Sequence, residues 1–303
     1  MLALASDISP NLSGTCEPLV VRGTAALTTL AVNGADPDSL AEMIDVSGAS
    51  PGAKLYDTAI AYQLAFRRTE GLGLQDDALA ASQLYRVQRN DVGGDAVRLL
   101  ALMAPGDLMV NTPLDFITNH LNVKLDLLFL LPGRELPAVI PDHDVMFMAA
   151  SEADPAARAR MTHLFKAWPR PVLNDPSFLP MLARDTLSEI LAGVPGLLNP
   201  LAVEVSLTRL KRLSYGDESV SDFLPGCTYP VLIRPAGSHA GIGLKKIDSP
   251  AGLASYLLFS FAKSYFLTAF VDYRSPDGLY RKYRIASRTS ATWLLPRTGW
   301  CTT

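Results

Sequence analysis

Apolar residues recur at helical spacing through the early part of this chain and then give way to short, unbroken runs. From about residue 22 to 90 the helical pattern is carried by Leu55, Ala59, Tyr62, Ala65 and Phe66. Leu79, Leu84, Tyr85 and Val87 extend it beyond an expected break at Gly71–Gly73. No second copy recurs at a fixed period, so an array of repeats is not supported. Residues 1–20 read as a flexible lead-in, and residues 21–92 as a helical extension, either an ordinary appendage or one or two tetratricopeptide-like helix pairs. Asn90-Asp-Val-Gly-Gly-Asp95 reads as a linker.

Beyond it, Val97–Met103, Leu125–Leu131 and Val145–Ala150 predict strands buried on both faces of a largely parallel sheet. Pro113–Asn119 and Ala156–Trp168 supply crossover helices, so residues 96–178 read as a βαβ domain. A further domain is expected over residues 179–286. It has a helix over Leu179–Ala192, a short basic segment Ser206–Leu213, a strand at Val231–Ile233 and a helix over Ala251–Phe261. Two strands, Tyr265–Val271 and Leu279–Ala286, are joined by a Pro-Asp-Gly turn. The fold class is α/β.

Composition narrows the class. The 303 residues are 49% hydrophobic and 19% charged, enough for a sizeable core. Twenty-seven basic and thirty acidic residues leave a formal charge of −3, which argues against a nucleic-acid partner. Cys16, Cys227 and Cys301 stand far apart, so a disulfide framework or zinc site is not expected and a reducing cytoplasm is. The N-terminus lacks a basic n-region and meets Asp7 early, unlike a signal peptide. The longest apolar runs fall short of a membrane span.

The chemistry concentrates in Tyr229–Ile247. A β-branched run delivers Arg234 to a strand end, and a loop of small residues follows: Gly237, Ser238, His239, Gly241 and Gly243. Glycines let backbone N–H groups approach an anion, and a fixed cation adds charge-assisted contacts. This is the pattern of a phosphate-gripping loop. Ala104-Pro-Gly-Asp107 with Asn111 and Thr112 follows a parallel strand and is a candidate substrate lip. His143 between Asp142 and Asp144 reads as a turn rather than a metal site, and Tyr265, Phe266 and Phe270 read as core.

From about residue 97 onward the order of elements resembles the ATP-grasp superfamily, of the glutathione synthetase and ribosomal-protein glutamate ligase (RimK-like) type. The resemblance is carried by Val172-Leu-Asn174 with Leu182-Ala-Arg-Asp185, by Leu197-Leu-Asn-Pro200, by Pro230-Val-Leu-Ile-Arg-Pro235 with its glycine loop, and by Phe270-Val-Asp272 with Arg281-Lys-Tyr-Arg284. It implies a pre-ATP-grasp domain at 96–178 and a partial ATP-grasp domain at 179–286. It also implies ATP-dependent ligation of a carboxylate to an amine, an amino acid or peptide, through an acyl-phosphate. On it, Arg184, Arg234, Gly237, Ser238, His239, Gly241, Gly243 and Asp272 would contact ATP, and Arg284 would act on the transferred phosphoryl group.

The sequence departs from that family in four ways. Arg234 stands where the family has a lysine, no lysine stands near Thr186, Ala269 stands where an acid for the ribose hydroxyls is expected, with Asp272 a few residues on, and the acidic residues that would hold Mg2+ do not appear after Ala286. Residues 287–303 contain no Asp, Glu or Asn and lose strand-like alternation, so an aberrant tail and a shift of frame near Ala286 are expected. Two other readings remain open. One is a catalytically inactive nucleotide binder that meets a protein partner through its N-terminal helices. The other is a helical scaffold that binds no nucleotide.

Overall fold

The computed structural model of the chain describes residues 12, 17–89, 92–150, 155–238, 241–259, 261–272, 274, 278, 286–288 and 291–293. They divide into two compact α/β units between Leu182 and Ala183.

In the first unit six strands form one sheet: β1 (Leu19–Val21), β2 (Leu84–Val87), β3 (Val97–Met103), β4 (Val123–Phe129), β5 (Val145–Met148) and β6 (Val172–Leu173). Their order is β1-β2-β4-β3-β5-β6, and every pairing is parallel except β2 with β4. Side chains alternate between the faces. Leu125, Leu127 and Phe129 of β4 join Tyr85 in a core with Leu27, Leu40, Ile44, Tyr56 and Ile60. Leu128, Leu100 and Leu102 point the other way, onto Met161, Leu164 and Trp168. Both faces are therefore covered, as the unbroken apolar runs predict.

The helices of the first face are α1 (Thr24–Val32), α2 (Pro37–Asp45), α3 (Pro51–Leu64) and α4 (Arg68–Ala81). Asp36 and Ser50 accept backbone N–H bonds at the starts of α2 and α3, each followed by a proline preset for a first helical turn. α5 (Leu114–Thr118) and α6 (Pro155–Ala167) are the crossovers after β3 and β5.

Here the structure differs from the sequence expectation. The N-terminal helices pack on the sheet and share its core, and Leu84–Val87 is strand β2 rather than helix. Nor does Gly71 break a helix, because α4 runs straight through it. A Cβ at Gly71 would lie 2.7 Å from Gln63 Cγ and 2.8 Å from Ala59 O. Glycine there lets α3 and α4 approach closely.

His143 lies in the turn before β5 and is buried. Its Nδ1 is 2.8 Å from Pro141 O, and its Nε2 is 2.8 Å from the Trp168 indole nitrogen. The indole can only donate, so Nε2 accepts and Nδ1 carries the proton. Burial lowers the His143 pKa, with the Pro141 hydrogen bond opposing. A lowered folded pKa means this stabilisation is complete above the unfolded value of about 6.5 and is lost as pH falls through the folded one. His143→Gln should cost about 1–3 kcal/mol at pH 7.5 by leaving buried polar groups unpaired. The gap to wild type should narrow toward pH 5, as read by urea unfolding followed through tryptophan fluorescence. A gap that widens on acidification would contradict the assignment.

The second unit holds α7 (Arg184–Ile190), β7 (Ala202–Ser206), α8 (Leu207–Tyr215), β8 (Val231–Pro235), β9 (Lys245–Ile247), α9 (Pro250–Leu257) and β10 (Ser264–Ala269). The sheet order is β7-β10-β8-β9, antiparallel throughout. The segment expected as merely basic, Ser206–Leu213, is the start of α8. Ser206 caps it and Gly216 closes it in a left-handed conformation. Val231, Ile233, Ile247, Tyr265 and Leu267 pack under Leu210, Leu213, Leu253 and Leu257 of α8 and α9. Beyond them, β11 (Ala286–Arg288) and β12 (Ala291–Trp293) pair antiparallel within the tail expected to lack strands. Among the described residues no helix is long and apolar enough to cross a membrane.

Candidate functional site

Alternation along β8 buries Val231 and Ile233 beneath the helices and turns Leu232 and Arg234 to the opposite face of the sheet. Register sets Arg234 opposite Phe266 of β10, and Phe266 opposite Glu204 of β7. The next row sets Lys246 opposite Leu232, and Leu232 opposite Thr268. One face of this sheet thus carries Arg234, Lys246, Phe266 and Glu204 together. Lys246 Nζ lies 4.6 Å from the Phe270 ring centre and 2.9 Å from Asp248.

The loop after β8 is shaped by its glycines. Gly237, Gly241 and Gly243 all have positive φ, at 71°, 77° and 68°. A Cβ on Gly243 would also fall 2.7 Å from Pro235 Cδ, so the strand end and the loop fit only with glycine there. Ser238 N–H closes a turn on Pro235 O at 3.3 Å, and Leu244 N–H closes another on Gly241 O at 3.0 Å. The amides of Gly237, Gly241, Ile242 and Gly243 make no hydrogen bond among the described residues. Such a row of amides suits an anion. The Arg234 guanidinium donates to the backbone oxygen and the hydroxyl of Ser238, and that hydroxyl donates to Pro235 O at 2.8 Å.

Beside the loop an open cleft of about 440 Å³ is lined by Pro235, Gly243, Lys245, Ser255, Tyr256, Phe259, Phe261 and Ala262. This is within the size range of small-molecule sites. Tyr256 donates its hydroxyl to Gly243 O at 2.7 Å, tying α9 to the loop. Phe259 and Phe261 are 84% and 93% exposed at its rim. Lys245 has no ion-pair partner among the described residues.

The other predicted site residues are distributed unevenly. Arg184 is exposed at the start of α7, which packs along the edge strand β7, so β10 stands between it and Arg234. Asp272 follows β10, and its carboxylate is held by Arg274, with Arg274 Nε 2.9 Å from both oxygens; that hydrogen bond lowers its pKa. His239 and Arg284 lie outside the described residues, as do Arg281 and Lys282.

Lys245, Tyr256 and Phe259 are candidates that the sequence reading did not single out, and Phe266, read there as core, is half-buried on the Arg234 face. Strand alternation could have separated Phe266 from buried Tyr265. Lys245 directly follows the glycine loop. Among the described residues no group of three or more His, Cys, Asp or Glu side chains could hold a metal ion.

No family model matches the chain, and no curated protein matches it in sequence. Solved structures do. D-alanine–D-alanine ligase from Bacillus anthracis, complexed with ATP, is 14% identical, with 58% of this chain and 60% of that one covered and a TM-score of 0.38. VanG D-Ala:D-Ser ligase from Enterococcus faecalis is 12% identical over 59% and 64%, with a TM-score of 0.36. A RimK domain ATP-grasp protein from Sphaerobacter thermophilus is 15% identical over 58% and 64%, with a TM-score of 0.33. Each is a ligase or an ATP-grasp protein by name. The chain spans about 60% of the length of the first of them.

Proposed function

We propose that the second unit binds ATP at the Gly237–Gly243 loop, in the manner of an ATP-grasp protein, and that the chain belongs to the class that joins a carboxylate to an amine. The observation that carries this reading is the pairing of Arg234, at the end of β8, with a glycine loop whose amides at Gly237, Gly241, Ile242 and Gly243 make no hydrogen bond among the described residues. These groups would hold phosphate oxygens. Bound ATP supplies an activated phosphoryl group. In such chemistry the protein's part is to position and neutralise that group.

To do so, Arg234 must exchange its contacts with Ser238 for the ligand. Among the described residues no cluster of carboxylates would hold Mg2+.

The test is a thermal melt of the full chain with and without ATP, because a ligand that prefers the folded state must stabilise it. At a hundredfold excess over Kd the gain is about 2.7 kcal/mol. An unchanged melting temperature at millimolar ATP would overturn the reading. Binding without ADP formation across carboxylate and amine pairs would favour an inactive nucleotide binder.

A further inference from the structure

The open cleft beside the glycine loop lies on the far side of the sheet from Arg234. Register pairs Lys245 with Ile233, and Ile233 is buried beneath α8 and α9, so Lys245 points to the helix face. Arg234 and Lys246 stand on the opposite face.

The walls of the cleft are tied to one another. Tyr256 of α9 donates its hydroxyl to Gly243 O at 2.7 Å and meets the Tyr265 ring edge-on, with 6.1 Å between ring centres. The hydroxyl of fully buried Tyr265 accepts Ala262 N–H at 3.1 Å. The loop, α9 and the turn into β10 thereby form one preformed concavity of about 440 Å³.

Its lining offers a guest one free polar side chain. Ser255 donates its hydroxyl to Ala251 O within α9, and the Tyr256 hydroxyl is committed to Gly243. Among the described residues no acidic side chain lines the cleft, and the Lys245 ammonium makes no ion pair or hydrogen bond. The rest is apolar. Leu258, Phe259 and Phe261 are 75%, 84% and 93% exposed at and beside the rim. Three large apolar side chains within four positions do nothing for the core, and a patch of this kind edged by charge marks a binding surface.

We propose that this cleft binds a small carboxylate with an apolar or aromatic body. The carboxylate would meet the Lys245 ammonium, and the body would cover the Phe259 and Phe261 rings. Lys245 would repel a cationic guest, and a neutral one would forgo the charge contact. Behind the sheet from Arg234, such a guest is not placed to react with a phosphoryl group held there. It is an effector that touches the loop through Gly243. The site does not rest on ATP binding by that loop.

Saturation-transfer NMR on the full chain with 3-phenylpropionate tests this, beside two controls of similar shape, neutral 3-phenylpropanamide and cationic 3-phenylpropylammonium. The acid should give a saturable signal, the amide should bind about fivefold more weakly, and the ammonium should give none. Fivefold is the upper range for an exposed ion pair. Lys245→Met should bind the acid no more tightly than the amide, and Phe259→Ala should weaken both. Both side chains are exposed, so these variants should melt as wild type does. Millimolar ATP should leave the acid bound. No saturable signal, equal affinity for acid and amide, or unchanged affinity in both variants would overturn the proposal. Displacement by ATP would overturn it too, by making the cleft part of the nucleotide site.

Discussion

Arg234→Met is expected to weaken ATP binding by about 10- to 150-fold while leaving the melting temperature of the free protein within a few degrees of wild type. A hydrogen bond to a charged group contributes about 1.5–3 kcal/mol, and each 1.4 kcal/mol is a factor of ten. Methionine keeps the unbranched stem against Phe266 and Leu232, so the sheet retains its packing. What goes is the guanidinium and its contacts with Ser238. Arg234→Lys should recover part of the loss, because a point charge survives without the planar fork. Titration calorimetry of the three proteins decides the matter. If Arg234→Met bound ATP as wild type does, the loop would not be the phosphate site, and Lys245 and the cleft beside it would be the next place to look.

The second large effect belongs to stability. Asp126→Ala should cost the first unit about 3–5 kcal/mol. Arg86 and Asp126 face each other across β2 and β4 in a two-pronged ion pair, with Nε–Oδ1 at 2.6 Å and Nη2–Oδ2 at 2.8 Å. The Asp126 side chain is only 9% exposed. Removing the carboxylate takes this two-pronged partner from a guanidinium that is 24% exposed. Replacing both partners by apolar residues, as in Arg86→Met with Asp126→Leu, should restore most of the stability, because breaking a buried pair costs more than replacing it whole. Thermal unfolding should show a fall of roughly 6–20 °C for Asp126→Ala, at 2–4 °C per kcal/mol for a unit of this size. A loss below about 1 kcal/mol would mean that water screens the pair.

Much of the architecture was legible because its signals are local. The runs at Val97–Met103 and Leu125–Leu131 had to be strands covered on both faces, and β3 and β4 are. The glycine loop announced itself through residues that only a tight, donor-rich turn demands.

What stayed hidden was set by tertiary partners. Leu84, Tyr85 and Val87 continue a helical spacing, yet they form β2 because β1 and β4 offer edges on either side. Gly71 resembles a helix breaker, yet its role is a close approach to Ala59 that no single-helix pattern encodes. A small cavity lined by Tyr56 and Ile60 of α3 and by Leu114 and Asp115 of α5 joins segments with nothing in their separate sequences to connect them.

The antiparallel seam between β2 and β4 also dictates a sequence of events in time. As the chain leaves the ribosome, β1 and β2 emerge with α1–α4, but the strand that β2 must pair with ends only at Phe129. Until then the early helices have one another and a two-stranded ribbon to shelter Leu27, Ile44, Tyr56 and Tyr85. An isolated ribbon of that kind is marginal in water. The N-terminal segment therefore waits, partly assembled and with its apolar face open, for roughly forty residues of further synthesis, a matter of seconds at 5–20 residues per second. During those seconds the nascent chain is most exposed to aggregation, and a chaperone would have most to offer it.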